Sequence, residues 1–322
     1  MIGPVAVRVV RCFRRVLPVP QVEGYPSRLE LNSRAVIDRS WLEPPAVENG
    51  MRVVRSLVPD RGPEPVFDIE LFEALNAEYA AHPIVTAAPT YDREASLERA
   101  RKRADIIDRE IDLTDKKILE FGCGGGWEIW TMTHQCDSEG WGIDLVERES
   151  WSILADDRTH YICADLARDR PFPADLFDRV VSFTVFEHVE HPHAALRELF
   201  RVMKAGGLAF VKANLYRGPK ASHRYRDVHF PFPHLLFQDH VFSEFYRRLG
   251  RSDSGAAWVN RLTWEQYEAQ FRRVGFRIRM LRFIETPLDE AFYSRFEAVL
   301  NRYPRTDLTR DYFEVVLEKP RG

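Results

Sequence analysis

Residues 117–127 read Lys-Ile-Leu-Glu-Phe-Gly-Cys-Gly-Gly-Gly-Trp. A short apolar strand with an acidic end runs into a glycine turn, and the turn runs into a predicted helix. Glycines at positions 122, 124 and 126 let the backbone turn tightly and approach a ligand closely, because no Cβ stands in the way. The helix that follows presents free N–H groups and the positive end of its dipole at the same place. The stretch therefore predicts a loop that binds a nucleotide-type cofactor.

The spacing of the glycines separates two kinds of cofactor. The dinucleotide pattern G-x-G-x-x-G requires a third glycine where Trp127 stands, which disfavours a dehydrogenase. Glu120, just before the loop, is poorly placed for a pyrophosphate but suits a ligand that carries an ammonium and a sulfonium. With this order of acid and glycines, the stretch resembles motif I of the class I S-adenosylmethionine-dependent methyltransferases. The resemblance implies that Glu120, Gly122, Gly124 and Gly126 bind S-adenosyl-L-methionine.

Length and composition limit the classes of protein that the chain can belong to. Its 322 residues suffice for one α/β domain and a substantial accessory region, and its formal net charge of −3 does not favour a nucleic-acid partner. The four cysteines (Cys12, Cys123, Cys136 and Cys163) are scattered, which suits a reducing, cytoplasmic compartment. No spacing of Asp, Glu and His resembles a metal site, so no metal is expected.

The organisation of the chain changes near residue 90. Residues 1–90 are predicted to be an N-terminal extension of unknown role, and residues 91–322 a methyltransferase domain. From residue 117 strands and helices alternate, which predicts an α/β fold with a doubly wound, mostly parallel, seven-stranded sheet. No apolar run is long enough to span a membrane. Residues 5–17 predict a basic amphipathic helix, which leaves open contact with a membrane surface or a partner, or packing on the protein itself.

Acidic residues recur at the ends of the second and third predicted strands. Asp144 ends the second strand, and a carboxylate there can accept two hydrogen bonds from ribose hydroxyls. Asp165 ends the third strand. The resemblance implies that Leu145 packs on the adenine ring and that Asp165 and Leu166 contact its amino group and edge. Each aspartate alone is also compatible with an ordinary helix N-cap.

The fourth predicted strand continues into the sequence Glu187-His188-Val189-Glu190-His191-Pro192. This segment resembles the EHV-x-x-P segment of small-molecule methyltransferases, and the ubiquinone and menaquinone biosynthesis type is the nearest likeness. The resemblance implies that the backbone around Phe183 lies beside the methionine part of the cofactor. His188 is the first candidate for a base or a substrate-orienting group, because histidine titrates near neutral pH and this strand end faces the methyl group. A purely structural role in the turn is the alternative.

Two further groups of residues complete the predicted site. Candidates for binding the cofactor's carboxylate are Tyr91, Arg101 and Arg103. Residues 216–262, which follow the fifth predicted strand, are rich in arginine and aromatic residues. They predict an inserted lid that selects a flat or amphipathic acceptor, with anionic and glycosylated molecules among the candidates. A self-packed subdomain or a dimer contact would have the same composition and stays open.

The sequence as a whole predicts a cytoplasmic enzyme that transfers a methyl group from S-adenosyl-L-methionine to an oxygen or nitrogen atom of a small molecule. Two other classes stay open: a methyltransferase for RNA or protein, and a non-catalytic cofactor-binding assembly protein. The sequence also leaves a homo-oligomer open. Titration with S-adenosylhomocysteine and a screen of acceptors would separate the enzyme from the assembly protein.

Overall fold

The computed structural model describes residues 47–48, 51–52, 67–86, 92–253 and 259–321. The predicted helix at residues 5–17 and the candidate Tyr91 lie outside these ranges. Strands β1 (Val47–Glu48) and β2 (Met51–Arg52) form a short antiparallel pair. Within the described part of the chain, no helix has the length and apolar character needed to cross a membrane.

A seven-stranded sheet forms the centre of the fold. Its strands are β3 (Lys117–Phe121), β4 (Glu139–Asp144), β5 (Thr159–Cys163), β6 (Phe177–Phe183), β7 (Met203–Asn214), β8 (Arg277–Glu285) and β9 (Arg310–Glu318). They lie in the order β5-β4-β3-β6-β7-β9-β8. Strands β3 to β7 are parallel, whereas β9 is antiparallel to both of its neighbours. The order reverses at β3 and β6, and ligands bind at such a switch point in open α/β sheets. The prediction of a mostly parallel seven-stranded sheet is confirmed.

Helices cover both faces of the sheet and one end of it. They are α1 (Ile69–Tyr79), α2 (Arg93–Ile111), α3 (Trp127–Gln135), α4 (Glu149–Leu154), α5 (Leu166–Asp169), α6 (Pro192–Val202), α7 (Pro233–Leu236), α8 (Asp239–Leu249), α9 (Trp264–Val274), α10 (Glu290–Arg295), α11 (Glu297–Leu300) and α12 (Arg305–Thr309). Asp68 and Asp92 cap α1 and α2 through their side chains, which satisfies N–H groups that the helix itself leaves unpaired.

Two apolar clusters hold these helices against the sheet. On one face Ile107 of α2 and Ile129 of α3 pack on Val181 of β6. On the other face Leu196 of α6 and Phe271 of α9 belong to a cluster around the sheet. Strands covered on both faces in this way are the mark of a doubly wound sheet, and burial of their side chains is the main favourable term in its stability.

A third apolar cluster, here named the aromatic cap, lies apart from the sheet. It joins three segments that are distant in sequence: α1, residues 228–246, and residues 288–308. Phe72 of α1 is fully buried among the rings of Phe230, Phe237 and Phe242, with centroid distances of 5.0–5.5 Å. Residues 228–246, within the predicted lid at 216–262, are therefore one of three parts of this cap, and α1, inside the predicted N-terminal extension, is another. A lid function for these residues stays a prediction.

Candidate functional site

The glycine loop between β3 and α3 requires its glycines. Gly122 and Gly126 have φ of +77° and +78°, in the left-handed region that side chains disfavour. A Cβ on Gly122 would lie 2.2 Å from Val185 Cγ2, and a Cβ on Gly126 would lie 2.4 Å from the ring of Tyr161. A Cβ on Gly124 would meet no atom within 4 Å, so the backbone there borders open space. The loop is thus closely packed behind and open towards a ligand.

Three side chains fix the carbonyl groups of this loop. Trp151 Nε1 donates to the carbonyl oxygen of Gly124, Ser150 Oγ to that of Gly125, and Tyr161 Oη to that of Gly126, over 2.8–2.9 Å. The rings of Trp151 and Tyr161 stack with their centroids 5.3 Å apart. Since the donors belong to α4 and β5, the loop is held by elements beyond its own strand and helix. This arrangement preorganises the backbone that faces the ligand.

Asp144 lies at the carboxyl end of β4, beside the glycine loop. Its Oδ2 accepts a hydrogen bond from the N–H of Gly124 at 2.8 Å, and its Oδ1 accepts one from the N–H of Val146 at 3.2 Å. A carboxylate has further acceptor capacity, so both oxygens can also accept hydroxyl hydrogen bonds. The neighbouring Leu145 is 69% exposed and lines the same cleft. An exposed leucine beside a fixed carboxylate fits a ligand with a flat apolar ring and a pair of hydroxyls.

Glu120 is buried under the loop, together with a second acid. Its Oε2 accepts from the N–H of Ile129 at 3.0 Å, and the side chain is 2% exposed. Burial raises the pKa of Glu120 well above its usual range, and the nearby charge of Glu128 raises it further, whereas Arg103 opposes both effects. Arg103 itself donates from Nη1 to Glu128 Oε1 at 2.5 Å. A cationic ligand group would stabilise the ionised form of Glu120 in the same way.

Asp165 follows the end of β5, where it both caps a helix and lines the cleft. Its Oδ1 accepts from the N–H groups of Ala167 and Arg168 at 2.9 and 3.2 Å, which makes it the N-cap of α5. Asp165 also lines the cleft, as does the buried Leu166. The ordinary capping role is therefore real, and it fixes the carboxylate at the cleft wall.

The end of β6 forms the opposite wall. Phe183 is buried under the guanidinium of Arg103, 4.7 Å from the ring centroid. Thr184 follows with φ of +53°, a strained conformation for a β-branched residue that is typical of functional sites. His188 is exposed in the short 3-10 turn after this strand and lines the cleft. The cleft encloses about 1900 Å³. Of the site residues predicted from the sequence that the structure describes, the arginine candidates aside, all except Gly126 line it: Glu120, Gly122, Gly124, Asp144, Leu145, Asp165, Leu166, Phe183 and His188.

Sequence reasoning missed several residues of the cleft. Of the arginines proposed for an anionic ligand group, Arg103 lines the cleft, and so does Arg99, one helical turn earlier; Arg101 is exposed outside the described lining. The sequence also did not predict Lys212 and Tyr312, which line the cleft on the side of β7 and β9. Only their position near the end of a strand could have indicated that these two residues line the cleft.

Glu187 was also missed, although it precedes His188. Its carboxyl is 3% exposed, and burial raises its pKa to about 7, against the smaller opposing effects of nearby backbone N–H groups and of Lys212. Glu187, His188 and His223 bring their polar atoms within 4.8 Å of one another. The sequence predicted no metal, since His223 is distant along the chain and the spacing alone does not show this grouping.

Part of the chain is similar to known methyltransferases. Residues 119–211 match the family model described as Methyltransferase domain. The ubiquinone biosynthesis O-methyltransferase of Pseudomonas fluorescens (strain SBW25) is 30% identical over 143 residues, which cover 41% of this chain and 60% of the relative. The corresponding protein of Chromobacterium violaceum is 32% identical over 127 residues, covering 37% of this chain and 53% of the relative. The chain thus spans 53–60% of the length of these two relatives.

A solved structure of an S-adenosylmethionine-dependent methyltransferase from Mesorhizobium loti has a TM-score of 0.48 and 19% identity, and the match covers 69% of this chain and 99% of that one. The matched family segment, residues 119–211, contains the glycine loop, Asp144, Asp165 and His188. Residues 119–211 thus match a methyltransferase domain, and the chain is similar to ubiquinone biosynthesis O-methyltransferases over part of its length.

Proposed function

We propose that this protein transfers a methyl group from S-adenosyl-L-methionine to an oxygen or nitrogen atom of a small molecule. One observation carries the proposal: the open glycine loop, the fixed carboxylate of Asp144 and the buried Glu120 all border one cleft. Hydroxyl, ammonium and apolar groups of a single ligand find matching partners there. The relatives' printed names favour oxygen as the methylated atom.

Different residues of the cleft would bind different groups of the cofactor. Asp144 would accept hydrogen bonds from the ribose hydroxyls, and Leu145, Asp165 and Leu166 would contact the adenine. Glu120 would bind the ammonium group, directly or through water. Arg103 lies close enough to Glu128 to be paired with it, so its contribution to a carboxylate of the ligand would be shared with that acid. Phe183 would contact the methionine part.

The bound cofactor supplies a methyl group already activated by a sulfonium, so the protein has to orient the acceptor and exclude water. Orientation can contribute about 7–11 kcal/mol in favourable cases. His188 lines the cleft at the end of β6, where it can orient the acceptor or accept its proton. Thr184, held by a bond from its N–H to the carbonyl oxygen of Lys212 at 2.8 Å, fixes the strand end that precedes it.

The acceptor side of the cleft favours an aromatic or anionic molecule. Tyr225 and Tyr312 line it, and the ammonium of Lys212 lies 5.3 Å from the ring centroid of Tyr312. Aromatic walls contact a flat ring, and a lysine provides a positive charge for a carboxylate or phosphate. The proposed acceptor is therefore a small hydroxylated ring compound that carries a negative charge.

Calorimetric titration with S-adenosylhomocysteine tests the cofactor, with NADH as the control ligand. Micromolar binding of S-adenosylhomocysteine alone supports the proposal, and binding of NADH instead would overturn it. Transfer of a radiolabelled methyl group to phenolic acids, compared with RNA and protein substrates, then tests the acceptor. Binding without transfer to any acceptor would favour the non-catalytic assembly protein.

A further inference from the structure

Three side chains with metal-ligating atoms converge beside the cleft: Glu187, His188 and His223. Their ligating atoms all lie within 4.8 Å of one another, and the two imidazole rings have centroids 5.2 Å apart. The first two residues belong to the turn after β6, whereas His223 comes from the segment that follows β7. The fold thus brings together two imidazoles and one carboxylate from separate parts of the chain.

Two of these groups are buried without a partner. Neither carboxylate oxygen of Glu187 has a well-formed hydrogen bond within the described residues, although the residue is 3% exposed; the N–H groups of Asn214 and of Glu187 itself lie only near enough to lower its pKa. The Nε2 atom of His223 is also buried, and no residue that the structure describes makes a hydrogen bond to it. Buried polar groups nearly always have partners, because an unpaired one is costly. A single cation between the two would satisfy both.

The backbone holds each ligand in position. Asn260 donates from its own N–H to the carbonyl oxygen of Glu187 at 2.8 Å and from Nδ2 to that of Phe186 at 2.6 Å. This fixes the turn that carries Glu187 and His188. His223 has φ of +55°, an uncommon conformation for a residue other than glycine, and the surrounding structure maintains it.

Two neighbouring positive charges, those of Lys212 and Arg224, lie beside carboxylates that reduce their repulsion of a metal ion. Lys212, whose charge acts on Glu187, lies 3.0 Å from Glu314. Arg224, next to His223, pairs with Asp253 at 2.7 Å. Arg224 and Lys212 are therefore both ion-paired, and Lys212 shares Glu314 with Arg282.

We propose that Glu187, His188 and His223 bind a divalent transition-metal ion of the Zn²⁺ type. One carboxylate and two imidazoles form a donor set used at catalytic zinc sites, which keep a further position open. Imidazole ligands select against Mg²⁺, which prefers oxygen atoms and retains its waters.

The role of the ion rests on the proposed function. His188 lines the cleft, so the ion's open position would be accessible to an acceptor oxygen there. Binding to the ion would lower the pKa of an acceptor hydroxyl, so that its proton is released to water. The acceptor oxygen would then form a bond to the methyl carbon as the carbon–sulfur bond breaks, which leaves S-adenosylhomocysteine. His188 then acts by positioning the ion and the acceptor, and no separate base is required.

Calorimetric titration of the EDTA-treated full chain with Zn²⁺, and with Mg²⁺ for comparison, tests the site. We expect one Zn²⁺ per chain, much weaker binding of Mg²⁺, and a Zn²⁺-dependent increase in the unfolding temperature. Glu187→Gln and His223→Gln should each weaken Zn²⁺ binding by at least about 10–100-fold. His240→Gln, an exposed histidine of α8, is the matched control and should bind as the wild type does.

Absence of stoichiometric Zn²⁺ binding, or unchanged binding in both variants, would overturn the proposed site. If Glu187→Gln fails to fold, the half-buried His223→Gln decides the result. Titration of the same samples with S-adenosylhomocysteine separates this proposal from the proposed function. Zn²⁺ binding without S-adenosylhomocysteine binding would contradict the methyltransferase activity alone, and the reverse result would contradict the metal site alone.

Discussion

Arg103 on α2 and Glu128 on α3 are joined by a hydrogen bond of 2.5 Å, and the same guanidinium covers the ring of Phe183. One side chain thereby connects two helices with the end of β6. It also provides the positive charge nearest to two buried acids, Glu128 and Glu120, and it lowers the pKa of the latter against the effect of burial.

Replacement of Arg103 by alanine should destabilise the fold, because it leaves the buried Glu128 with only the longer contact to Arg99, at 3.7 Å. The side chain of Arg103 is 29% exposed, so solvent screens part of the effect, and we expect the free energy of unfolding to fall by about 1–3 kcal/mol. Chemical denaturation measures this change. Lys102→Ala, which removes a 70% exposed neighbour, is the control and should change it by less than about 0.5 kcal/mol. Equal effects of the two substitutions would contradict the structural role of Arg103.

Asp144→Ala should weaken binding of S-adenosylhomocysteine by about 1–3 kcal/mol, because the ligand loses charged hydrogen bonds and the N–H of Gly124 loses its acceptor. Calorimetric titration gives the dissociation constant directly. Glu147→Ala, an exposed acid three residues further along, should leave it unchanged. An unaltered dissociation constant for Asp144→Ala would remove this residue from the binding site.

Substitutions at two glycines of the loop should have different consequences. Gly126→Ala forces a Cβ against Tyr161 and should lower the free energy of unfolding by more than about 2 kcal/mol. Gly124→Ala meets no protein atom, so it should cost about 1–2 kcal/mol of backbone strain while weakening S-adenosylhomocysteine binding at least about tenfold, a loss of about 1.4 kcal/mol. Thermal unfolding and calorimetry on both variants check the pair. A fully stable Gly126→Ala variant would disprove the packing argument.

His188→Ala should reduce methyl transfer at least about tenfold with little change in cofactor affinity, because in the proposed function His188 acts on the acceptor and other residues of the cleft bind the cofactor. The assay compares turnover with the dissociation constant of S-adenosylhomocysteine on the same preparation. His193→Ala, in the helix that follows, serves as control. Undiminished turnover would leave His188 only a role in the turn.

His234 should make stability depend on pH. Its Nε2 donates to the carbonyl oxygen of Tyr216 at 2.6 Å, and burial lowers its pKa to about 3. The unfolded chain binds a proton on this histidine below about pH 6.5, and the folded protein does so only near pH 3, so stability is complete above pH 6.5 and falls as the pH decreases through this window.

At pH 5 this loss is no more than about 2 kcal/mol from His234 alone. Denaturation of His234→Gln at pH 7 and pH 5 should show a smaller decrease than the wild type shows. His240→Gln should follow the wild type, because that histidine is exposed on α8. Identical decreases in all three proteins would contradict the assignment.

The sheet was predictable because its signals are local. The apolar strands followed by Asp144 and Asp165 are each encoded within a few residues, so the sequence alone indicated them. The acids of the proposed cofactor site followed from the same regularity, since parallel strands bring their carboxyl ends to one edge.

The aromatic cap and the Glu187 cluster were not predictable because their contacts join distant segments. Phe72 packs on Phe242, and His223 lies beside Glu187, yet neither residue carries a local signal for its partner. The sequence contained one indication for Glu187, because this acid directly follows the apolar residues Val185 and Phe186. Only the fold shows that no described group pairs with it.

The position of β9 constrains the order in which the protein can be completed during synthesis. This strand is the last of the seven to leave the ribosome, yet it lies between β7 and β8 and pairs with both. β8 therefore has no neighbour in the sheet until residues 310–318 have emerged. Nascent chains that end before residue 310 expose the edge of β7 and an unpaired β8. Such unpaired strand edges are prone to aggregate and are bound by chaperones.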